Sequence, residues 1–231
     1  PAGSWVLEPF GAGPRQVVEA ALAGYRVLVA SNNPIDRFLI ELAANPPSEV
    51  ELRSSLADLG ALMKGEQRLE PHLRGLYLTP CSRCQEEVSA EAFIWERGAS
   101  GPLARIYQCP ACGESGEFPI TPADIRLLEQ LPSPQLHRSR ALERVAPLDD
   151  PDRALVEEAL DAYLPRAIYA LFSLINKREN LAPARRRSIS ALLVAVFDQA
   201  NVLWAHPTQR ARPRQLSIPP RYRENNIWLA M

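Results

Sequence analysis

Two matched cysteine pairs constrain this chain more than anything else in it: Cys81-Ser-Arg-Cys84 and Cys109-Pro-Ala-Cys112 hold all four cysteines. Thiolates three positions apart can grip one metal ion from a tight turn. A second such turn, brought alongside by a hairpin, completes a closed tetrahedral site with no position left for water. Between the pairs, Phe93-Ile94-Trp95 and Ile106-Tyr107 read as short strands, and Arg97-Gly-Ala-Ser-Gly-Pro102 reads as the turn between them. Gly113, directly after Cys112, suits the tight turn of a metal knuckle. The spacing is that of a zinc ribbon.

The alternatives are two disulfides or four unrelated buried thiols. No charged start followed by an apolar run and a small-residue cleavage site appears, so nothing argues for secretion, and thiols in the cytosol stay reduced. Zinc is therefore expected, bound structurally by Cys81, Cys84, Cys109 and Cys112. Such sites supply roughly 10 to 16 kcal/mol of apparent binding free energy, enough to order a segment with few apolar residues.

With 46% hydrophobic and 23% charged residues in 231, the chain has room for one large or two modest domains. No run reaches the roughly 18 apolar residues of a membrane helix, so the reading is a cytoplasmic protein with no membrane partner. A net charge of −1 argues against nucleic-acid binding through overall charge and leaves room for a local basic face. The chain opens on Pro1 with Trp5-Val-Leu close behind, and Ile227-Trp-Leu-Ala230 reads as the beginning of another buried element. It is expected to be a piece of a longer polypeptide.

Residues 1–47 alternate between strand and helix signals. Trp5-Val-Leu reads as a buried strand, Glu8-Pro-Phe-Gly-Ala-Gly13 as a glycine loop and Pro14 to Ala23 as a helix. Tyr25 to Ala30 reads as a second strand. Ile35 to Ala44 is a helix with Ile35, Phe38, Leu39, Leu42 and Ala43 spaced for burial. Strand, glycine loop, helix, strand is half of a nucleotide-type parallel sheet, in which the loop lets a ligand approach the backbone.

Leu7-Glu-Pro-Phe-Gly-Ala-Gly13, the helix ending in Glu19-Ala-Ala-Leu-Ala-Gly24, and the strand leading to Asn33-Pro34 resemble the cofactor-binding start of S-adenosylmethionine-dependent DNA methyltransferases acting on exocyclic amines. The resemblance implies that Glu8, Pro9, Phe10, Gly11 and Gly13 surround the methionine part of the cofactor. It places Asn33 and Pro34 beside the adenosine and Ser31 at the ribose hydroxyls. The chain departs from the family pattern in a loop one residue shorter, in Pro14 for the usual threonine, and in Ser31 for the usual acid. A nicotinamide-binding reading is weaker, because Gln16 occupies the third glycine position of that fingerprint.

Asn45-Pro-Pro-Ser48 looks like the family's catalytic motif of Asp or Asn, two prolines and an aromatic, but Ser48 is not aromatic and only two strands precede it. Ser48-Glu-Val-Glu51 reads as a capping box, opening a helix whose buried face carries Leu52, Leu56, Leu59 and Met63. Residues 48–78 form a helical connection, with a short helix over 68–78 and His72 at the surface. The ribbon occupies 79–120, as an insertion that either presses on DNA or a partner protein or braces the fold. A helical region follows over 121–205: Thr121-Pro-Ala-Asp124 caps one helix, Asp150-Pro151-Asp152 opens another, Pro165 breaks or restarts it, and Pro183 to Trp204 keeps helical period.

Residues 206–231 read as a basic, proline-rich segment. Arg210, Arg212, Arg214, Arg221 and Arg223 either lie along a nucleic-acid backbone or form a solvated loop; Arg185, Arg186 and Arg187 add to the local charge. The expected fold is α/β: a partial Rossmann-like methyltransferase sheet with an inserted four-cysteine zinc ribbon and a helical region. The resemblance implies part of an S-adenosylmethionine-dependent DNA methyltransferase with its catalytic motif beyond this chain, DNA as partner and a possible partner subunit. The alternative is a non-catalytic zinc-ribbon module, binding nucleic acid or protein, on a degenerate methyltransferase scaffold. No hydrolase elbow, metalloprotease helix or phosphate loop is present.

Overall fold

The computed structural model describes residues 3–10, 13–207 and 217–231, and the chain divides into two compact units after Arg53. The first unit contains β1 (Trp5–Glu8), α1 (Pro14–Leu22), β2 (Arg26–Val29) and α2 (Pro34–Ala44); α3 (Glu49–Ala61) contains the boundary. β1 and β2 pair in parallel, Trp5 opposite Arg26 through Glu8 opposite Val29, with α1 as the crossover. The expected strands are present, and their burial is not. Trp5 is 68% exposed, Leu7 62% and Leu28 58%, and no residue of α2 is buried, Ile35 included.

In the second unit the remainder of α3 leads to a small hairpin, β3 (Met63–Lys64) and β4 (Gln67–Arg68), followed by α4 (Leu69–Gly75). Strands β5 (Leu78–Pro80) and β6 (Glu87–Ser89) form the hairpin that carries the first cysteine pair. β7 (Ala92–Glu96), β8 (Ala104–Gln108) and β9 (Ser115–Pro119) follow, the last two flanking the second pair. Then come α5 (Pro122–Glu129), α6 (Pro134–Val145), α7 (Arg153–Leu160), α8 (Pro165–Arg178), α9 (Pro183–Ala200) and β10 (Arg221–Asn225). The second sheet is antiparallel in the order β10-β7-β8-β9.

Proline explains much of this segmentation. Pro14, Pro34, Pro122, Pro134, Pro165 and Pro183 each open a helix, where a missing N–H costs nothing and the fixed φ favours entry. Pro165 therefore restarts the helical stretch. The Ser48–Glu51 capping box forms, with the Ser48 amide donating to the Glu51 carboxylate at 2.7 Å and the Glu51 amide to Ser48 Oγ at 3.2 Å. Leu59 is fully buried, but Met63 leaves the helix for β3 and is exposed. Sequence reasoning missed α6, whose mean hydropathy is low.

The core of the second unit gathers Leu59, Leu69 and Leu73 with Tyr77, Phe93 and Trp95 of the ribbon side and Leu171, Leu174, Ile189 and Val196 of α8 and α9. Each fully buried side chain of this size stabilises by about 1.5–3 kcal/mol. Ile227 and Trp228 join that core, as expected of a buried element at this point. Asn226, itself buried, donates to the Ala90 carbonyl and accepts from the Trp228 amide, fixing the turn after β10. Among the described residues, no helix is long and apolar enough to cross a membrane.

Candidate metal centre

Each cysteine pair sits at the tip of a hairpin, and the two tips share one local geometry. The Gln85 amide donates to the Cys81 carbonyl, and the Gly113 amide to the Cys109 carbonyl. The Cys81 amide donates to the Glu86 carbonyl, and the Cys109 amide to the Glu114 carbonyl. The residue after each second cysteine has left-handed backbone, φ 63° at Gln85 and 75° at Gly113. Glycine meets that demand freely in the second knuckle; in the first, glutamine meets it at a cost.

The four sulfurs lie within 4.8 Å of one another, with Cys81 and Cys112 at 3.6 Å and Cys84 and Cys109 at 3.6 Å. Metal–sulfur bonds of about 2.3 Å in a tetrahedron require sulfurs about 3.8 Å apart. The set fits: four soft donors that could hold one ion such as zinc, with no fifth donor needed. None of the four is in a disulfide. Cys81 and Cys109 are buried, Cys84 is exposed and Cys112 half-buried, so the second cysteine of each pair faces solvent.

Backbone amides aim at these sulfurs. Those of Cys112 and Ala111 lower the Cys109 thiol to about 7. The Glu114 amide acts on Cys112 in the lowering direction, but desolvation and the neighbouring sulfurs push that thiol up to about 12. A metal ion that claims all four as thiolates must displace protons, Cys112's most of all.

Behind the sulfurs stands a polar layer that sequence reasoning did not find. Arg105 is buried and donates through Nη1 to Thr79 Oγ1 at 2.8 Å, Thr121 Oγ1 at 3.2 Å and Asp124 Oδ2 at 3.0 Å, and through Nη2 to Ser82 Oγ at 3.1 Å. One guanidinium thus joins β5, the first knuckle and the cap of α5. Asp124, expected only as a helix cap, is both cap and counter-ion. Tyr107 Oη accepts from the Ser82 amide at 2.8 Å, donates to Glu114 Oε2 at 3.2 Å, and lies 3.9 Å from Cys81 Sγ, while its ring stacks on Phe118. As a thiol Cys81 donates to Glu114; as a thiolate it would face a like charge there, and the Tyr107 hydroxyl is the donor that remains.

The residues expected around a nucleotide-type cofactor are partly gathered. Because β1 and β2 are parallel, the loops after Glu8 and after Val29 leave the same end of the sheet, which brings Glu8, Pro9, Phe10 and Gly13 to the end that carries Ser31, Asn33 and Pro34. Gly13 caps α1 with φ 136°, open to glycine and strained for other residues. Gly11 lies outside the described residues. Ser31 Oγ accepts from the Asn33 amide at 3.2 Å, and Asn33 Oδ1 accepts from the Ile35 amide at 2.9 Å. Both polar side chains thus hold the entry to α2. A cleft of about 520 Å³ runs along β2, lined by Val27, Val29, Ser31, Arg37 and Glu41, and takes in the loop after β2 but no described residue of the loop after β1.

The expected basic segment is redistributed. Arg210, Arg212 and Arg214 lie outside the described residues. Arg221 and Arg223 are in β10, a strand paired to β7 and not an extended strap, and Arg221 meets Glu117 at 3.2 Å. Arg185 pairs with Asp58 at 3.0 Å, and Arg186 approaches Glu179 at 3.7 Å. His72, expected at the surface, is half-buried with Nε2 2.7 Å from Tyr169 Oη. No family model, curated protein or solved structure matches this chain.

Proposed function

We propose that this chain is the cofactor-side part of an S-adenosylmethionine-dependent DNA methyltransferase acting on an exocyclic base amine, carrying a structural zinc ribbon. The observation that carries the reading is the parallel β1–α1–β2 unit, with Gly13 at the entry to α1 and the motif-bearing loops at one end of the strands. In a sheet of this kind ligands bind beyond the carboxyl ends of the strands, where helix amides favour a carboxylate such as that of methionine. Glu8 to Gly13 would hold the methionine part of the cofactor, which supplies the methyl group when bound; Ser31 and Asn33 would meet the adenosine. Zinc on Cys81, Cys84, Cys109 and Cys112 has no open position, so its part is to hold the two knuckles together.

Calorimetric titration of S-adenosylmethionine into the zinc-loaded protein tests this reading. Saturable binding that Gly13→Val weakens by at least about tenfold is expected, because valine is strained at φ 136°. No binding to the folded, zinc-loaded protein would overturn it. A second reading, a zinc-ribbon module on a scaffold that no longer takes the cofactor, draws on one observation: Ser31 and Asn33 spend their side-chain groups on the turn itself.

A further inference from the structure

One face of α8 gathers positive charge without acids to answer it. Lys64, on β3, places its ammonium over the ring of Tyr169, 5.4 Å from the centroid. His72, on α4, puts Nε2 2.7 Å from Tyr169 Oη, and His137, on α6, sets its ring edge-on to Tyr169 at 4.9 Å. Two turns along α8 from Tyr169 lies Lys177. Arg144 completes the row, its guanidinium over Phe172 and donating to Asn176 Oδ1 at 3.0 Å.

The acids of the same elements are engaged elsewhere. Glu70 pairs with Arg74, Glu143 with Arg153, and Glu179 with Arg178 and Arg186. Among the described residues neither Lys64, Lys177 nor Arg144 has a carboxylate within 4 Å. Burial, then the charge of Lys177, lowers the Lys64 ammonium; burial, then Lys64, lowers His72. Packing alone explains Tyr169, which is buried; it does not explain a half-buried lysine set over it with a second half-buried lysine on the same helix.

We propose that Lys64, Lys177 and Arg144, with His72 beside Tyr169, form a binding site for a phosphate-type oxyanion. An anion seated there answers the mutual repulsion and takes hydrogen bonds from ammonium, guanidinium and imidazole donors, the usual means of holding a phosphate. A DNA backbone is the source that the proposed function supplies, and that assignment rests on the proposed function; the oxyanion site does not.

The test follows the ring resonances of His72 and His137 by NMR in the whole zinc-loaded chain. Sodium phosphate is titrated at constant ionic strength against chloride, then a short DNA duplex. Saturable shifts with phosphate are expected, weakened at least about tenfold in Lys64→Met/Lys177→Met and restored in Lys64→Arg/Lys177→Arg. If the source is DNA, the duplex gives the same shifts at lower concentration, and the double methionine variant flattens the salt dependence by about two phosphate contacts. Shifts with phosphate alone keep the site and give it to a free or small-molecule phosphate, leaving the methyltransferase reading to the cofactor titration. No saturable shift with either probe, or equal shifts in the methionine variant, overturns the proposal.

Discussion

Arg166→Met is expected to be among the most damaging single substitutions in the second unit. The side chain is 1% exposed, its guanidinium lies over the rings of Phe93, at 4.5 Å, and Tyr77, at 5.0 Å, and its Nε is 3.3 Å from Glu224 Oε1. Glu224 is 2% exposed, and its other oxygen accepts from Trp95 Nε1 at 2.7 Å. Methionine fills much of the slot but leaves the Glu224 carboxylate buried with one hydrogen bond and no counter-charge. Removing one member of a buried pair costs about 3–5 kcal/mol, a fifth or more of the roughly 5–15 kcal/mol that holds an ordinary domain together. With a urea slope of about 2 kcal/mol per molar, the midpoint should fall by about 2 M. Arg166→Met/Glu224→Gln removes both charges and leaves an amide oxygen for Trp95, so it should lie within about 1–2 kcal/mol of the parent. Urea melts of the zinc-saturated protein, followed by tryptophan fluorescence, check both. A fall of under about 0.5 M for the single variant, or additive losses in the double, would refute the reasoning.

Chelation should unfold the knuckles. Far-UV circular dichroism should lose strand signal, and zinc should restore it, since structural zinc contributes roughly 10–16 kcal/mol of apparent binding free energy. Zinc affinity should fall as pH drops, because protons compete for the sulfurs; a Cys109 thiol lowered to about 7 is the easiest to claim and a Cys112 thiol near 12 the hardest. A competition titration with a chromophoric chelator across pH 6 to 8 reads this, and a flat profile would count against thiolate coordination. Gln85→Gly should stabilise the first knuckle by about 1 kcal/mol, and Gly113→Ala should destabilise the second by about as much, read as opposite shifts in urea midpoint. Gly60→Ala should cost about 1–3 kcal/mol in the same assay, because its Cβ would stand 3.0 Å from Trp228 and 3.1 Å from the Cβ of Glu70.

The four-cysteine cluster was legible because cysteine spacing is local: three positions within a turn, two turns in a ribbon. The strands at 93–95 and 106–107, the capping box at Ser48 and the cap at Thr121 were legible for the same reason. What escaped depended on distant partners. Arg105 shows no pattern of its own, and only the fold brings Thr79, Ser82 and Asp124 around it. Arg221 and Arg223 were counted as charge when their backbone was a strand waiting for β7, where they face Glu96 and Ile94. Periodicity in Trp5, Leu7 and Ile35 signalled elements correctly but not burial, which needs a covering layer that alternation alone does not supply.

The pairing of β10 with β7 has a consequence for how the ribbon comes into being. Trp95 and Glu224 stand 129 positions apart, so the sheet cannot finish until α5 to α9 have been made and their return path has brought the last strand home. Until then β7 presents a bare edge rich in Phe93, Ile94 and Trp95, an invitation to intermolecular pairing. The local hairpins can close early, whereas this long-range closure is slow by its topology. A nascent chain would therefore hold a finished knuckle beside an open edge, and its hazard during synthesis is adhesion to its own kind.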